Sequence, residues 1–327
     1  MNTGRIASVV VLLTVYNRKS VSNTIESVLK QSFKDFVLLI IDNASDDGTY
    51  ELLKEYAKKD SRIIVIQNDK NMGQTYSLHR GMSMANGKYI ARIDADDIMT
   101  PQRLQRQYDF LEKNPDYGFC GSWVQIITDD DKLLLKIRMP VTDKGMRAVQ
   151  RVSCAVYHPS VMMRKSTLDE NDIVYDETLK MAEDYDMWRQ LLLVSKGCNI
   201  PEVLTYYRRG KENDSYHHRS VTRREDYLVR QRVVESDDFR GWDAIKSLLE
   251  IERKKKKRLI LCVKAIGLYK KYLKDSLDKD SDDYAILKER IRSRYLGEYI
   301  VYNGTFLAAI LKFLYSGIRQ LVYCFAR

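Results

Sequence analysis

The sequence predicts an α/β domain, a mostly parallel sheet flanked by helices, followed by a basic helical C-terminal region. Three observations lead there. Short apolar runs rich in Val and Ile recur about 25 residues apart, each followed by a helix-like segment, as βαβ units require. The segments between them repeat apolar residues at helical spacing. Charge is also unevenly divided: residues 215–327 carry 25 Lys and Arg against 15 Asp and Glu, whereas residues 1–214 carry 30 of each. The whole net charge of +10 therefore belongs to the C-terminal third, which divides the chain into a domain at 1–214 and a basic region at 215–327.

The elements follow in order. Strands are expected at Val9–Leu13, Val37–Ile41, Ile63–Ile66 and Tyr89–Ile93, and helices at Val21–Gln31, Tyr50–Lys59 and Gln74–Met84. In the first helix Val21, Ile25, Val28 and Leu29 share one face, as packing on a sheet demands. From about Gly118 to Pro201 the pattern is mixed, with a strand at Phe119–Thr128 and a helix near Asp184–Val194. Beyond residue 220 it is helical and basic, including the run RKKKKR at Arg253–Arg258. The five cysteines lie at least 34 residues apart, with no metal or redox spacing. Such thiols suit a reducing, cytoplasmic compartment, and the Asn213 and Asn303 sequons are then coincidental.

In a parallel sheet, ligands bind beyond the carboxyl ends of the strands. Each of the first four strands here runs into a polar loop: TVYNR, DNASDDGT, NDKNMGQ and DADD. Asp94, Asp96 and Asp97 crowd within four positions, and like charges so close repel. A hard divalent cation, Mg²⁺ or Mn²⁺, would offset that repulsion and keep positions open for phosphate oxygens. A turn, with Asp97 capping a helix that begins near Pro101, accounts for the same residues without a metal. Asp42, at the end of the second strand, is the candidate to meet a nucleotide, whereas Asp46, Asp47 and Gly48 suit a turn and helix start. Neither G-x-G-x-x-G nor a P-loop is present, which excludes the usual dinucleotide and P-loop sites. Gly73, before the third helix, permits close backbone approach to an anion or simply a turn. Glu183, Asp184 and Asp186 begin an apolar helix, where acids complement the helix dipole and where one of them is placed to act as a general base. His158 suits a structural hydrogen bond, and adjacent His217 and His218 make poor ligands for one metal.

Taken in order, VVVLLTVYNR, SVLKQSFKDFVLLIIDNASDDGT, NMGQTYSLHRGMSMANGKYIARIDADDIMTPQRLQRQ, HPSVMMRKS and AEDYDMWRQL resemble the inverting nucleotide-sugar glycosyltransferases of family 2, which have the Rossmann-like GT-A fold. The resemblance covers roughly residues 6–210. It implies that Thr14, Tyr16 and Asn17 border the nucleotide, that Asp42 hydrogen-bonds the base, and that the Asn71–Gly73 loop lies beside it. It also implies that Asp94-Ala95-Asp96 is the family's D-x-D motif, with Asp96 and Asp94 holding Mn²⁺ or Mg²⁺ on the donor diphosphate. Asp184, paired with Glu183, then matches the catalytic base. The donor implied is a UDP-sugar, and the acceptor a glycan or lipid-linked hydroxyl in cell-surface polysaccharide or lipopolysaccharide assembly. Thr14 replaces a frequent proline, Asn43 a frequent aspartate or glycine, and His79 a frequent asparagine; these departures bear on donor preference rather than on the reaction.

The tail carries its own expectation. Its longest uncharged run, Tyr299–Leu311, has 13 residues, too few to span a bilayer. At helical spacing 299–327 pairs a polar stripe with an apolar face. That suits an interfacial helix on the anionic inner face of the cell membrane, with docking on its own domain or on a second subunit of a homo-oligomer as the rival. Nucleic acid is not an expected partner, since no recognised module appears. A haloacid-dehalogenase-like phosphatase would carry D-x-D on the first strand, not the fourth. A catalytically inactive GT-A-like subunit that binds a partner is the alternative function, opposed by the retained Asp94, Asp96 and Asp184.

Overall fold

The computed structural model describes residues 7–210, 219–236, 272–274 and 276–291. Two compact units divide the chain, Met1–Ser236 and Asp237–Arg327. The change in charge at residue 215 precedes that division, and helix α8 (Arg219–Glu235) belongs to the first unit. In the second unit, helix α9 (Asp282–Ile291) buries Ile286, Leu287 and Ile291. The run Arg253–Arg258, the segment 299–327, His217, His218 and both sequon asparagines lie outside the described residues.

The first half of unit one alternates strand and helix: β1 (Ala7–Val15), α1 (Val21–Leu29), β2 (Phe36–Asp42), α2 (Thr49–Lys59), β3 (Ile63–Gln67), α3 (Gln74–Met84) and β4 (Gly87–Asp94). Every residue of β2 is buried, as a parallel strand covered on both faces must be. There follow β5 (Ile98–Met99), α4 (Arg103–Lys113), β6 (Tyr117–Ile127), β7 (Leu133–Ile137), α5 (Asp143–Gln150), a 3-10 turn at His158–Ser160, β8 (Met162–Arg164), α6 (Lys165–Asp169), α7 (Glu183–Val194) and β9 (Lys196–Arg208).

Among the described residues one sheet holds all nine strands, in the order β3-β2-β1-β4-β8-β6-β9-β5, with β7 added on β6. β1 through β4 are parallel, and β6 and β9 are parallel to each other. β8 runs antiparallel between β4 and β6, joining the two parallel sets. Three-residue β8 and two-residue β5 are too short to show a strand period in sequence. One sheet face packs on α1 and α4 through Val9, Val11, Leu13, Leu38, Ile40 and Tyr89. On the other, α3 comes close because its Gly81 has no side chain: a Cβ there would lie 2.3 Å from Leu12 Cδ1 and 3.0 Å from Ile41 Cγ1. That approach sets the N-terminus of α3 at the carboxyl edge of the sheet.

Candidate active site

Strand register gathers the loops. Thr14 lies opposite both Ile41 and Asp94, and Val15 opposite Asp42, so β1, β2 and β4 end together. A cleft of about 490 Å³ opens at this edge. Its lining includes Thr14, Tyr16, Asn71 and Gly73, then Asp94, Ala95 and Asp96, and also Glu183 and Asp184. Two of the sequence candidates are placed differently. Asn17, at φ 46°, faces the next loop: its Nδ2 donates to Asp46 Oδ1 at 2.8 Å and its Oδ1 accepts from Asp46 N at 3.0 Å. Asp42 is wholly buried behind the cleft. Its Oδ2 accepts from Ser45 N and Gln67 Nε2, while its Oδ1 is buried without a hydrogen-bond partner.

The loop that carries Asn71 and Gly73 is held by asparagines. Asn43 Nδ2 donates to Asn71 Oδ1 at 2.8 Å, and Asn43 Oδ1 accepts from Asn68 Nδ2 and Met72 N, each at 2.9 Å. Gly73 adopts φ 86°, ψ 166°, a conformation open essentially to glycine alone. The turn expected of Asp46–Gly48 is present: Asp47 Oδ1 accepts from Thr49 N, and α2 starts after Gly48.

β4 ends at Asp94 and the chain turns at once, Asp97 N donating to Asp94 O. The aspartates therefore do not continue an extended strand. Asp97 also does not cap α4, which begins after Gln102; it is wholly buried, and its Oδ1 accepts from Arg208 N at 2.7 Å. That expectation is corrected: the cap was read from sequence distance, but the sheet carries β9 across the turn and takes the carboxylate. Arg208 adds a side-chain bond from Nε to Asp96 O at 2.9 Å and so braces the turn. Asp94 is ion-paired with buried Arg92, and Asp96 Oδ2 lies 3.3 Å from Arg18 Nη1. Burial first, then the charge of Asp94, pushes the Asp96 carboxyl up to about 6, against the opposing pull of Arg18. Burial raises Asp97 well above the usual carboxylate range, with the charges of Asp94 and Asp96 adding to it.

Further round the cleft, α7 begins with the other pair of acids. Asp184 Oδ1 accepts from Tyr185 N at 2.7 Å, and the Cys154 thiol lies 3.7 Å from Asp184 Oδ2. Burial pushes Asp184 up to about 6; for Glu183, burial and the adjacent Asp184 charge bring it to about 8. Buried side by side, the two carboxyls hold their protons more tightly than free ones, Glu183 under the added charge of Asp184. The helix is fixed from below by Gln150 and Tyr185, which exchange side-chain-to-carbonyl bonds, and by Arg232 of α8 on Asp186 at 3.1 Å. Glu225 of α8 accepts from Lys180 N and Met181 N, holding the loop that leads into α7. His158 accepts its structural reading: its Nε2 pairs with the Tyr175 hydroxyl at 2.8 Å, and burial keeps the ring neutral.

Sequence reasoning missed Arg18, Arg92, Lys180 and Tyr207 in the cleft lining. Arg92 had a signal, an arginine inside the apolar run YIARI, two residues before Asp94 and therefore on the same strand face. Tyr207 had none, because the pairing of β9 with β5 and β6 is what brings it near.

This edge-of-sheet cleft is acidic at the end of the fourth strand and again at the start of a helix some 90 residues later. The profile of glycosyl transferase family 2 matches residues 10–171. Putative glycosyltransferase EpsE of Bacillus subtilis is 35% identical over 228 residues, 68% of this chain and 79% of EpsE. The chain belongs to glycosyl transferase family 2. It is 28% identical to the O-antigen biosynthesis glycosyltransferase WbnJ of Escherichia coli over 201 residues, 58% of this chain and 74% of WbnJ. Among solved structures, residues 1–349 of S. aureus TarS in complex with UDP-GlcNAc superpose with a TM-score of 0.62 at 18% identity, covering 89% of this chain and 92% of that one. The match spans 54% of the longer TarS chain. Mannosyltransferase PcManGT of Pyrobaculum calidifontis, bound to GDP-Man and Mn²⁺, gives 0.59 at 14% identity, covering 96% and 89%.

The cleft suits a divalent cation in its donor chemistry. No cluster of three His, Cys, Asp or Glu side chains able to hold a metal occurs among the described residues. Asp94 and Asp96 nevertheless share one wall with side chains 26% and 16% exposed, and two carboxylates are what a hard cation uses when substrate phosphates complete its shell. Among the described residues no helix is long and apolar enough to cross a membrane.

Proposed function

We propose that the protein transfers a sugar from a nucleoside diphosphate donor, a UDP-sugar, to a hydroxyl of a growing cell-surface glycan, inverting the anomeric carbon. The observation that carries this is the placing of two separate acidic pairs, Asp94–Asp96 and Glu183–Asp184, on the lining of one cleft. An acceptor hydroxyl needs a base close to the attacking oxygen. Asp184 serves: it lines the cleft, its Oδ1 is held by the Tyr185 N–H, and burial raises its proton affinity above that of a free carboxylate.

Asp96 and Asp94 would hold Mn²⁺ or Mg²⁺, which supplies charge neutralisation to the departing diphosphate. Thr14, Tyr16, Asn71 and Gly73 line the nucleotide side, where free N–H groups at the start of α3 favour an anion. Asp42 and Asn17 support that wall, Asp42 by holding Ser45 and Gln67, and Asn17 by fastening the first loop to the second. The polysaccharide setting is supported by the relative named for O-antigen biosynthesis. Attachment to an anionic membrane surface through 299–327 remains part of this reading, with liposome flotation of the full chain and of a chain lacking 299–327 as its check.

The test is a screen of nucleotide sugars with Mn²⁺ for binding and for transfer or donor hydrolysis. Asp184→Asn is expected to bind UDP as the parent does and to lose transfer at least 100-fold. Transfer by Asp184→Asn at the parent rate refutes the base assignment, and failure to bind any nucleoside diphosphate refutes the donor class and favours an inactive partner-binding subunit.

A further inference from the structure

Arg92 is out of place by sequence. It sits in the middle of β4, in a run whose other members are apolar, and its side chain is 1% exposed. The i, i+2 spacing puts it on the strand face that carries Asp94, opposite Leu12 in the register with β1. Its Nη2 meets Asp94 as an ion pair rather than an aligned hydrogen bond, and its Nε and Nη1 are buried with no hydrogen-bond partner. A buried guanidinium left this bare is costly unless several anions share it.

Those anions are present from every side. On β4 and its turn, Asp94, Asp96 and Asp97 all feel the Arg92 charge. Glu183 and Asp184 of α7 line the same cleft as Arg92, together with the neutral His158, and the Arg92 charge pulls both carboxyls down against burial. Around Asp184 itself the remaining groups are Glu183, Asp94, Cys154 and the Tyr185 N–H. Glu183 Oε2 is buried and unpartnered as well, with His158 Nδ1 4.0 Å from its other oxygen.

We propose that Arg92 is a positioning residue: one buried guanidinium that orients Asp94 on the donor side and acts as the counter-charge of Glu183–Asp184 on the acceptor side. It rests on the reading of Asp184 as the base. Removing the charge leaves two acidic pairs facing each other across the cleft, so Asp184 becomes harder to ionise even though it never touches Arg92.

Direct titration tests this without a known acceptor. Full-length protein labelled with ¹³C at Asp and Glu carboxyls is titrated by NMR, the Asp184 signal being the one lost in Asp184→Asn. Arg92→Met and Arg92→Gln are expected to move the Asp184 midpoint up by about 1 pH unit or more, the size of one lost opposite charge nearby. Arg92→Lys is expected to restore the midpoint to within about 0.3 unit, since it keeps the charge. A folded neutral variant whose Asp184 midpoint matches the parent overturns the proposal. So does failure of both neutral variants to fold, which makes Arg92 a structural counter-ion. If instead Asp184→Asn transfers sugar normally, the base assignment itself falls; an inactive Asp184→Asn with unmoved Arg92 variants removes only this inference.

Discussion

Asp184→Asn should make the protein more stable while removing its activity, and the gain should depend on pH in a defined way. Burial lifts the Asp184 carboxyl from about 3.8 to about 6. A shift of about two units corresponds to about 3 kcal/mol, because each unit is worth about 1.4 kcal/mol. The sign follows from the direction. A carboxyl whose folded pKa is raised binds its proton more tightly in the folded state, so its contribution favours folding below pH 4 and is lost as pH rises through about 6. At pH 8 the ionised side chain therefore costs the folded state the full amount, and at pH 4.5 only about 1 kcal/mol. Asparagine keeps an oxygen for the Tyr185 N–H and carries no charge. For a unit of this size the expected gain is roughly 5–10 °C in Tm at pH 8, shrinking to a few degrees at pH 4.5. Thermal and urea denaturation at the two pH values measure it. An Asp184→Asn protein no more stable than its parent at pH 8, or equally stabilised at both, would show that the base is not held under strain by burial.

Other outcomes follow from the same geometry. Asn43→Ala removes the partners of Asn71, Asn68 and Met72 at once; it should cost about 1–3 kcal/mol in denaturation and weaken UDP binding about tenfold by calorimetry. Gly81→Val drives a side chain into Leu12 and Ile41 and should lower stability by about 2–3 kcal/mol, read as a fall in the urea midpoint. Asp96→Asn should abolish the increase in UDP affinity that Mn²⁺ brings while leaving metal-free UDP binding near the parent value, again by calorimetry.

The alternation of apolar runs with helical patterns determined β1 to β4 and α1 to α3 to within a few residues, because a buried parallel strand and an amphipathic helix each leave a periodic trace in the chain. Local chemistry also picked out the acids at the strand end and at the start of α7. What the sequence could not carry was whatever depended on strands meeting across large separations. The one β9 residue that reaches both Asp97 and Asp96, Arg208, lies 111 and 112 positions from them, so the choice between capping a helix and bracing a turn was made by sheet pairing. Asp42 was legible as a polar strand end, but its burial behind the cleft and the turning of Asn17 toward Asp46 depended on how two loops pack. Arg92 shows the division most clearly. Its position two residues before Asp94 is written in the strand, whereas its sharing a cleft with Glu183 and Asp184 exists only because α7, some 90 residues on, reaches the same edge of the sheet.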